Sequence, residues 1–147
     1  MRRHSIVAAL GLGVLGMVAQ AHHSFAMFDQ TKRTSLKGTV TEFQWTNPHA
    51  FIHIDVPGAN GATENWEIEL NSPNNLKRQG WKSTSLKAGD QVTLVTFPLR
   101  DLAAHKGGLF VSVTLADGSV LAESAFAGAA GPVNVEVIPP ASGAKPK

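Results

Sequence analysis

The sequence predicts an all-β fold: a small five-stranded barrel with one short helix set among its strands. Three observations carry that expectation. Apolar and polar residues alternate through several short runs, the period of a half-buried strand. Gly, Asn and Pro separate those runs as turn residues do. Between the third and fourth runs, "NSPNNLKRQGW" carries the start and stop signals of a helix.

The chain opens on a different kind of segment. Arg2 and Arg3 precede an apolar run from Ser5 to Val18, too short to span a bilayer comfortably, and Ala19 and Ala21 supply the small residues of a cleavage site. Residues 1–21 therefore read as a Sec-type signal peptide. The apolar residues usual behind a twin-arginine pair are not in place. The mature chain is expected in the periplasm or outside the cell, with no membrane span after processing.

Removing that leader changes the charge argument. The chain holds 13 Lys and Arg against 11 Asp and Glu. Arg2 and Arg3 lie in the leader and no acid does, which leaves 11 of each. The basic balance is thus poor evidence for nucleic acid. With no Tyr and few basic residues on its strands, the chain is expected to have no nucleic-acid partner. Zero cysteines rule out disulfides, thiolate metal sites and thiol catalysis. Stability must come from a packed core, for which about 100 residues suffice.

Residues 22–34 read as an N-terminal arm, residues 35–126 as the barrel and residues 127–147 as a flexible Ala/Gly/Pro-rich tail. In "LKGTVTEFQW", strict alternation sets Leu36, Gly38, Val40 and Glu42 against Lys37, Thr39, Thr41 and Phe43. "TNPH" is a turn, because Asn47 before Pro48 disfavours helix. "AFIHIDV" puts Ala50, Ile52, Ile54 and Val56 on one face and His49, Phe51, His53 and Asp55 on the other. "PGANGAT" is a hairpin loop. "NWEIEL" returns with Trp66, Ile68 and Leu70 together and Glu67 and Glu69 opposite. Ser72 caps the helix, Pro73 opens it and Gly80 ends it. A strand from Gln91 to Phe97 follows, then a loop, then "LFVSVTLADGSVL", a strand with an Asp117-Gly118 turn and a short return. Five strands with the helix between the third and fourth fit an OB-type barrel. A β-sandwich usually needs seven strands and lacks that helix.

The chemistry centres on histidine. Cleavage after Ala21 makes His22 the first residue, and its α-amine, with a reference pKa of about 7.7–8.0, yields its proton readily to a metal. Amine and imidazole Nδ1 form a chelate, and one further imidazole completes a three-nitrogen site suited to Cu(II). His23 adds a neighbouring ring. The plainer reading is a polar terminus that merely suits the peptidase. His49 and His53, four apart on a strand, have Cα atoms about 13 Å apart and do not share one ion easily. One of them can meet His22 if the arm folds back. Glu67 and Glu69 are placed to support such a ligand, or simply to pair with the histidines on an ordinary polar face. His105 sits in a loop and reads as exposed. Trp45, Asn47, Pro48, Trp66, Glu67, Asn74 and Trp81 form the candidate ligand or partner surface, with core packing as the other role for the tryptophans. No nucleophile motif surrounds a serine and no Gly-rich phosphate loop is present, so no catalytic residue is assigned.

At "AHHSFAMFD", "GTVTEFQWTNPHAFIHIDV", "NWEIELNSPNNLKRQGW" and "LKAGDQVT" the chain resembles a family of small exported bacterial proteins of unknown function. These pieces span nearly all of residues 21–95. The resemblance implies an exported single domain with an OB-like barrel, and supplies no activity or ligand. The matching pattern includes His22 to Phe25, Asn47-Pro48-His49, Trp66, Glu67 and Ser72-Pro73-Asn74. An aromatic is usual near His53, which makes His49 the stronger candidate ligand.

The sequence thus points to a periplasmic small binding protein that holds copper or another divalent metal through His22 and His49, with His23 or Glu69 assisting. Copper is the one cofactor the pattern suggests, and sequestration or delivery fits better than turnover. The alternative is a metal-free interaction module for a periplasmic protein partner. A third reading is a copper-dependent monooxygenase using the same terminal clamp.

Overall fold

A computed structural model describes residues 25–58, 61–127 and 135–137. The leader, His22, His23 and most of the expected tail lie outside the described residues.

The architecture follows from one long strand. β1 (Arg33–Gln44) pairs antiparallel with β4 (Gln91–Pro98) through Thr34 to Thr39, and antiparallel with β2 (Phe51–Pro57) through Thr39 to Gln44. β2 turns back into β3 (Thr63–Glu69), and β3 runs parallel to β5 (Gly107–Leu115) from Glu67 to Glu69. β5 pairs antiparallel with β4, so the order β1-β2-β3-β5-β4 returns to β1. This closed ring of five strands is the OB-type barrel that the sequence predicts. β6 (Val120–Ala122) extends β5, and β7 (Val135–Val137) lies parallel to the start of β1. β7 falls in the segment expected as tail.

Alternation fills the barrel. Ala50, Ile52, Ile54 and Val56 of the β2 run and Trp66, Ile68 and Leu70 of the β3 run are all buried, as their spacing requires. β1 departs from strict alternation. Leu36 and Val40 point inward, but a bulge between Val40 and Glu42 shifts the pairing with β2. An extra residue reverses the parity of a strand. Beyond the bulge Glu42 is exposed and Phe43 and Trp45 pack against the core. The barrel also begins earlier than residue 35, because Thr34 is buried opposite Thr96.

The short helix α1 (Pro73–Arg78) plugs the ring between β3 and β4. Ser72 Oγ accepts from the Asn75 N–H, with Pro73 in the first turn where no N–H is needed. At the other end, Gly80 N–H donates to the Lys77 carbonyl and Trp81 N–H to the Leu76 carbonyl. Gly80, at φ +89°, takes the left-handed turn this ending needs. The apolar contact that accompanies it is Leu76 with Trp81, both buried in the core, and Trp81 meets Phe110 edge-on at 5.3 Å.

A second, smaller core lies outside the ring. Phe97, Leu109 and Val111 of β4 and β5 are buried beneath Phe28 from the arm and Phe126 from α2 (Ser124–Ala127). That is why β5 is buried on both faces from Gly107 to Val111. The arm is tied there by Asp29 N–H to the Pro98 carbonyl, 2.8 Å, and by Arg100 N–H to the Met27 carbonyl, 3.0 Å. Thr31 donates its hydroxyl to the Asp29 carboxylate, which holds that carboxyl below its ordinary value. Among the described residues no helix is long and apolar enough to cross a membrane.

Gly38 sits where β1 passes from β4 to β2. A Cβ there would collide with the Asp55 carbonyl oxygen and lie 2.8 Å from Ile54 Cγ1. The obstacle is backbone, which cannot swing aside. Gly38→Ala is therefore expected to cost about 3 kcal/mol, read as a lower urea midpoint with an unchanged slope.

Candidate ligand-binding site

Register places the polar groups on the outer face of β2 and β3. Phe51 stands opposite Glu69 and His53 opposite Glu67. His49 lies two residues before β2, and the pairing continues through Ala50 between them: Leu70 N–H donates to the Ala50 carbonyl and Ala50 N–H to the Asn71 carbonyl. The Asn47-Pro48 peptide in the preceding turn is cis. His49 Nδ1 meets the Glu69 carboxylate directly, both side chains being largely buried. A carboxylate accepting at Nδ1 fixes the neutral ring with its proton on Nδ1 and its lone pair on Nε2.

His53 belongs to a separate group. Its Nδ1 is 3.9 Å from Glu67, whose other oxygen is 3.7 Å from His105 Nε2, and its Nε2 is 3.3 Å from Gln44 Oε1. The two histidines of the run are thus held by different glutamates. Among the described residues no group of three His, Asp or Glu side chains is arranged to hold a metal ion. Any site of three ligands needs a donor from beyond them.

A cavity of about 170 Å³ opens beside the His49–Glu69 pair. Phe25, Leu70, Leu109, Phe110 and Phe126 give it apolar walls, and His49, Glu69, Asn71 and Glu123 give it polar points. Asn71 is held in place by accepting from Ser72 N–H at 2.7 Å and from Asn75 Nδ2 at 2.8 Å, so the start of α1 fixes one rim. Phe25 brings the arm to the same cavity.

Glu123 is the residue that sequence reasoning missed. It is 3% exposed; its Oε1 accepts from Gln79 Nε2 at 2.8 Å, and its Oε2 is buried with no hydrogen-bond donor. Gln79 in turn accepts from Ser124 N–H at 3.1 Å, so one amide joins the end of α1 to the start of α2. The acid at the head of "ESAF" was the only signal in the sequence, and it reads equally as an exposed helix start.

The expected partner surface is divided by the structure. Asn47, Pro48 and Asn74 are exposed and Trp45 is half-buried. Trp66 and Trp81 are 2% exposed and belong to the core, so they offer no surface to a ligand or partner. Their position on the inward parity of β3 and at the helix end explains it. Glu67 faces outward as expected. His22 and His23 lie outside the described residues.

Comparison with known proteins bears on the fold. The model of a family of unknown function (DUF6152) matches residues 11–109. No curated protein matches the chain. Two crystal structures of the mitochondrial single-stranded DNA binding protein Rim1 from S. cerevisiae, one of them SeMet-labelled, are similar to it at 15% and 14% identity. Each match covers 60% of this chain, and 94% and 97% of theirs, with TM-scores of 0.43 and 0.44. The expectation that excluded nucleic acid is withdrawn, because these two structures are of single-stranded DNA binding proteins. Phe51 and His53 stand 6.5 Å apart, centroid to centroid, on the outer face of β2.

The His49–Glu69 contact makes a direct spectroscopic expectation. Nitrogen-15 NMR of the neutral imidazole should show the Nδ1–H tautomer, and Glu69→Ala should convert it to a mixture. An unchanged tautomer in that variant would mean another acceptor sets the ring.

Proposed function

Since the chain belongs to a family of unknown function (DUF6152), its activity has to be argued from its own residues, and we propose that it is an exported OB-fold protein that binds copper or another divalent metal. His22, made N-terminal by removal of residues 1–21, supplies its amine and imidazole Nδ1, and His49 supplies Nε2.

The observation that carries this reading is the shared cavity. Phe25 and His49 line the same depression, and His22 lies only three positions before Phe25. Three residues reach about 10 Å at full extension, enough to bring the terminus over His49. The Glu69 contact supports the reading independently. Metal-ligating histidines regularly donate their second ring nitrogen to a carboxylate, which orients the ring and raises its basicity. Glu69 is thereby a positioning residue, and His23 remains available at the terminus. The arm itself is anchored by Phe28 and by Arg100 Nε donating to the Ala26 carbonyl at 2.8 Å. The site needs no catalytic group for a role in sequestration or delivery.

Exposed Phe25 and Met27, 53% and 50% accessible, favour a second reading, an interaction module that offers this apolar arm to a protein partner. Metal titration separates the two. Protein beginning at His22 is expected to bind one Cu(II) ion. A version retaining Met-Ala ahead of His22 should lose that binding, and equal binding by both would remove the clamp. Glu69→Gln is expected to weaken the metal by roughly 10–100-fold. Oxidation of a substrate with reductant and oxygen would convert the binding protein into the copper monooxygenase reading. Mass spectrometry of exported protein should give His22 as the first residue.

A further inference from the structure

We propose that the cavity beside α2 is a binding site for a small organic cation, an ammonium carried on a compact apolar body, recognised by Glu123. This goes beyond the metal reading: it uses the inner end of the cavity and a carboxylate the metal site does not need.

Glu123 carries a buried polar atom without a partner among the described residues. Glu123 lines the cavity at 3% exposure, and its Oε2 is buried without a donor. Such an oxygen in an apolar setting is costly unless something donates to it. Its neighbour Oε1 is already engaged by Gln79 Nε2 at 2.8 Å, which fixes the carboxylate's orientation. Rotating the group to relieve Oε2 would break that bond. Among the described residues none supplies that donor.

Charge narrows the class. Glu69 accepts from the His49 ring, whereas among the described residues Glu123 has only the neutral Gln79 amide and the backbone N–H of Ala125, at 3.5 Å, as donors. No Lys or Arg lines the cavity. One carboxylate without a cation calls for one positive head, and bonds from a charged donor are the strong ones. Shape narrows it further. The walls are Leu70, Leu109, Phe110 and Phe126, and the volume is about 170 Å³. A cavity of about 150 Å³ with similar walls accommodates benzene. Phe110 and Phe126 also present rings that a cation can approach.

Benzylamine is a fitting probe, titrated by calorimetry into metal-stripped protein, with toluene and benzyl alcohol as uncharged controls. Benzylamine is expected to bind at least about tenfold more tightly than either control. Glu123→Gln keeps an oxygen for Gln79 and removes the charge, and should reduce benzylamine affinity by a similar factor. Ala125→Phe adds a ring to the cavity lining and should abolish binding, with circular dichroism confirming that both variants fold. Toluene binding as well as benzylamine, undiminished binding by Glu123→Gln, or no benzylamine binding up to millimolar concentration would each overturn the proposal. Protein retaining Met-Ala ahead of His22 should bind benzylamine normally, so failure of the copper clamp and failure of this site are distinguishable.

Discussion

The structure depends on β1 being shared. One strand serves as the edge partner of β4 over its first half and of β2 over its second, with Thr39 paired to both Gln91 and Asp55. A straight strand cannot do this. The bend requires close backbone approach at Gly38 and an extra residue near Thr41, where the pairing with β2 slips. Closure of the ring then sets everything downstream. It leaves no free edge between β1 and β2, it fixes the β2–β3 register, and that register puts His49 against Glu69. The polar pair at the candidate site is thus a consequence of barrel closure.

Much of this was legible in the sequence, and the reasons are particular. The runs from Ala50 to Val56 and from Trp66 to Leu70 each bury one face, so a period of two names their inward residues without reference to tertiary structure. The helix was legible because capping is local: Ser72, Pro73 and Gly80 act within a few residues of themselves. Glu67 and Glu69 could be set beside the histidines because antiparallel neighbours share faces. What escaped was set by contacts distant in sequence. The bulge near Thr41 depends on β2 and β4 competing for one strand, so alternation alone gave only a strand of mixed exposure and could not place Glu42 and Phe43. Trp81 stayed open between core and groove because composition does not distinguish a ring that fills a barrel from one that lines a groove.

The second core escaped for a related reason. Phe28 and Phe126 are nearly one hundred residues apart in the chain, and neither lies in a periodic run. They converge because β5 is flanked by strands and must cover its outer face as well as its inner one. Phe97 illustrates the layering, meeting Phe126 edge-on at 5.2 Å while Arg33 lies over its ring at 5.6 Å. Covering that face has a functional consequence: it brings the arm and α2 to opposite sides of one cavity whose floor is the barrel itself.

That convergence also explains why Glu123 can stand where it does. A buried carboxylate with one unsatisfied oxygen works against folding, and local rules would replace it with an apolar residue. Its retention is affordable because Gln79 satisfies the other oxygen and simultaneously receives the Ser124 N–H, making the junction of α1 and α2 one hydrogen-bonded unit. The unsatisfied group is thus a single buried oxygen on a residue that lines the cavity. The His49–Glu69 pair on the same cavity is hydrogen-bonded, and its polarity is of the kind that positions a ligand rather than demanding one. The two carboxylates on one cavity therefore have different characters: Glu69 orients a neighbour, whereas Glu123 awaits a donor.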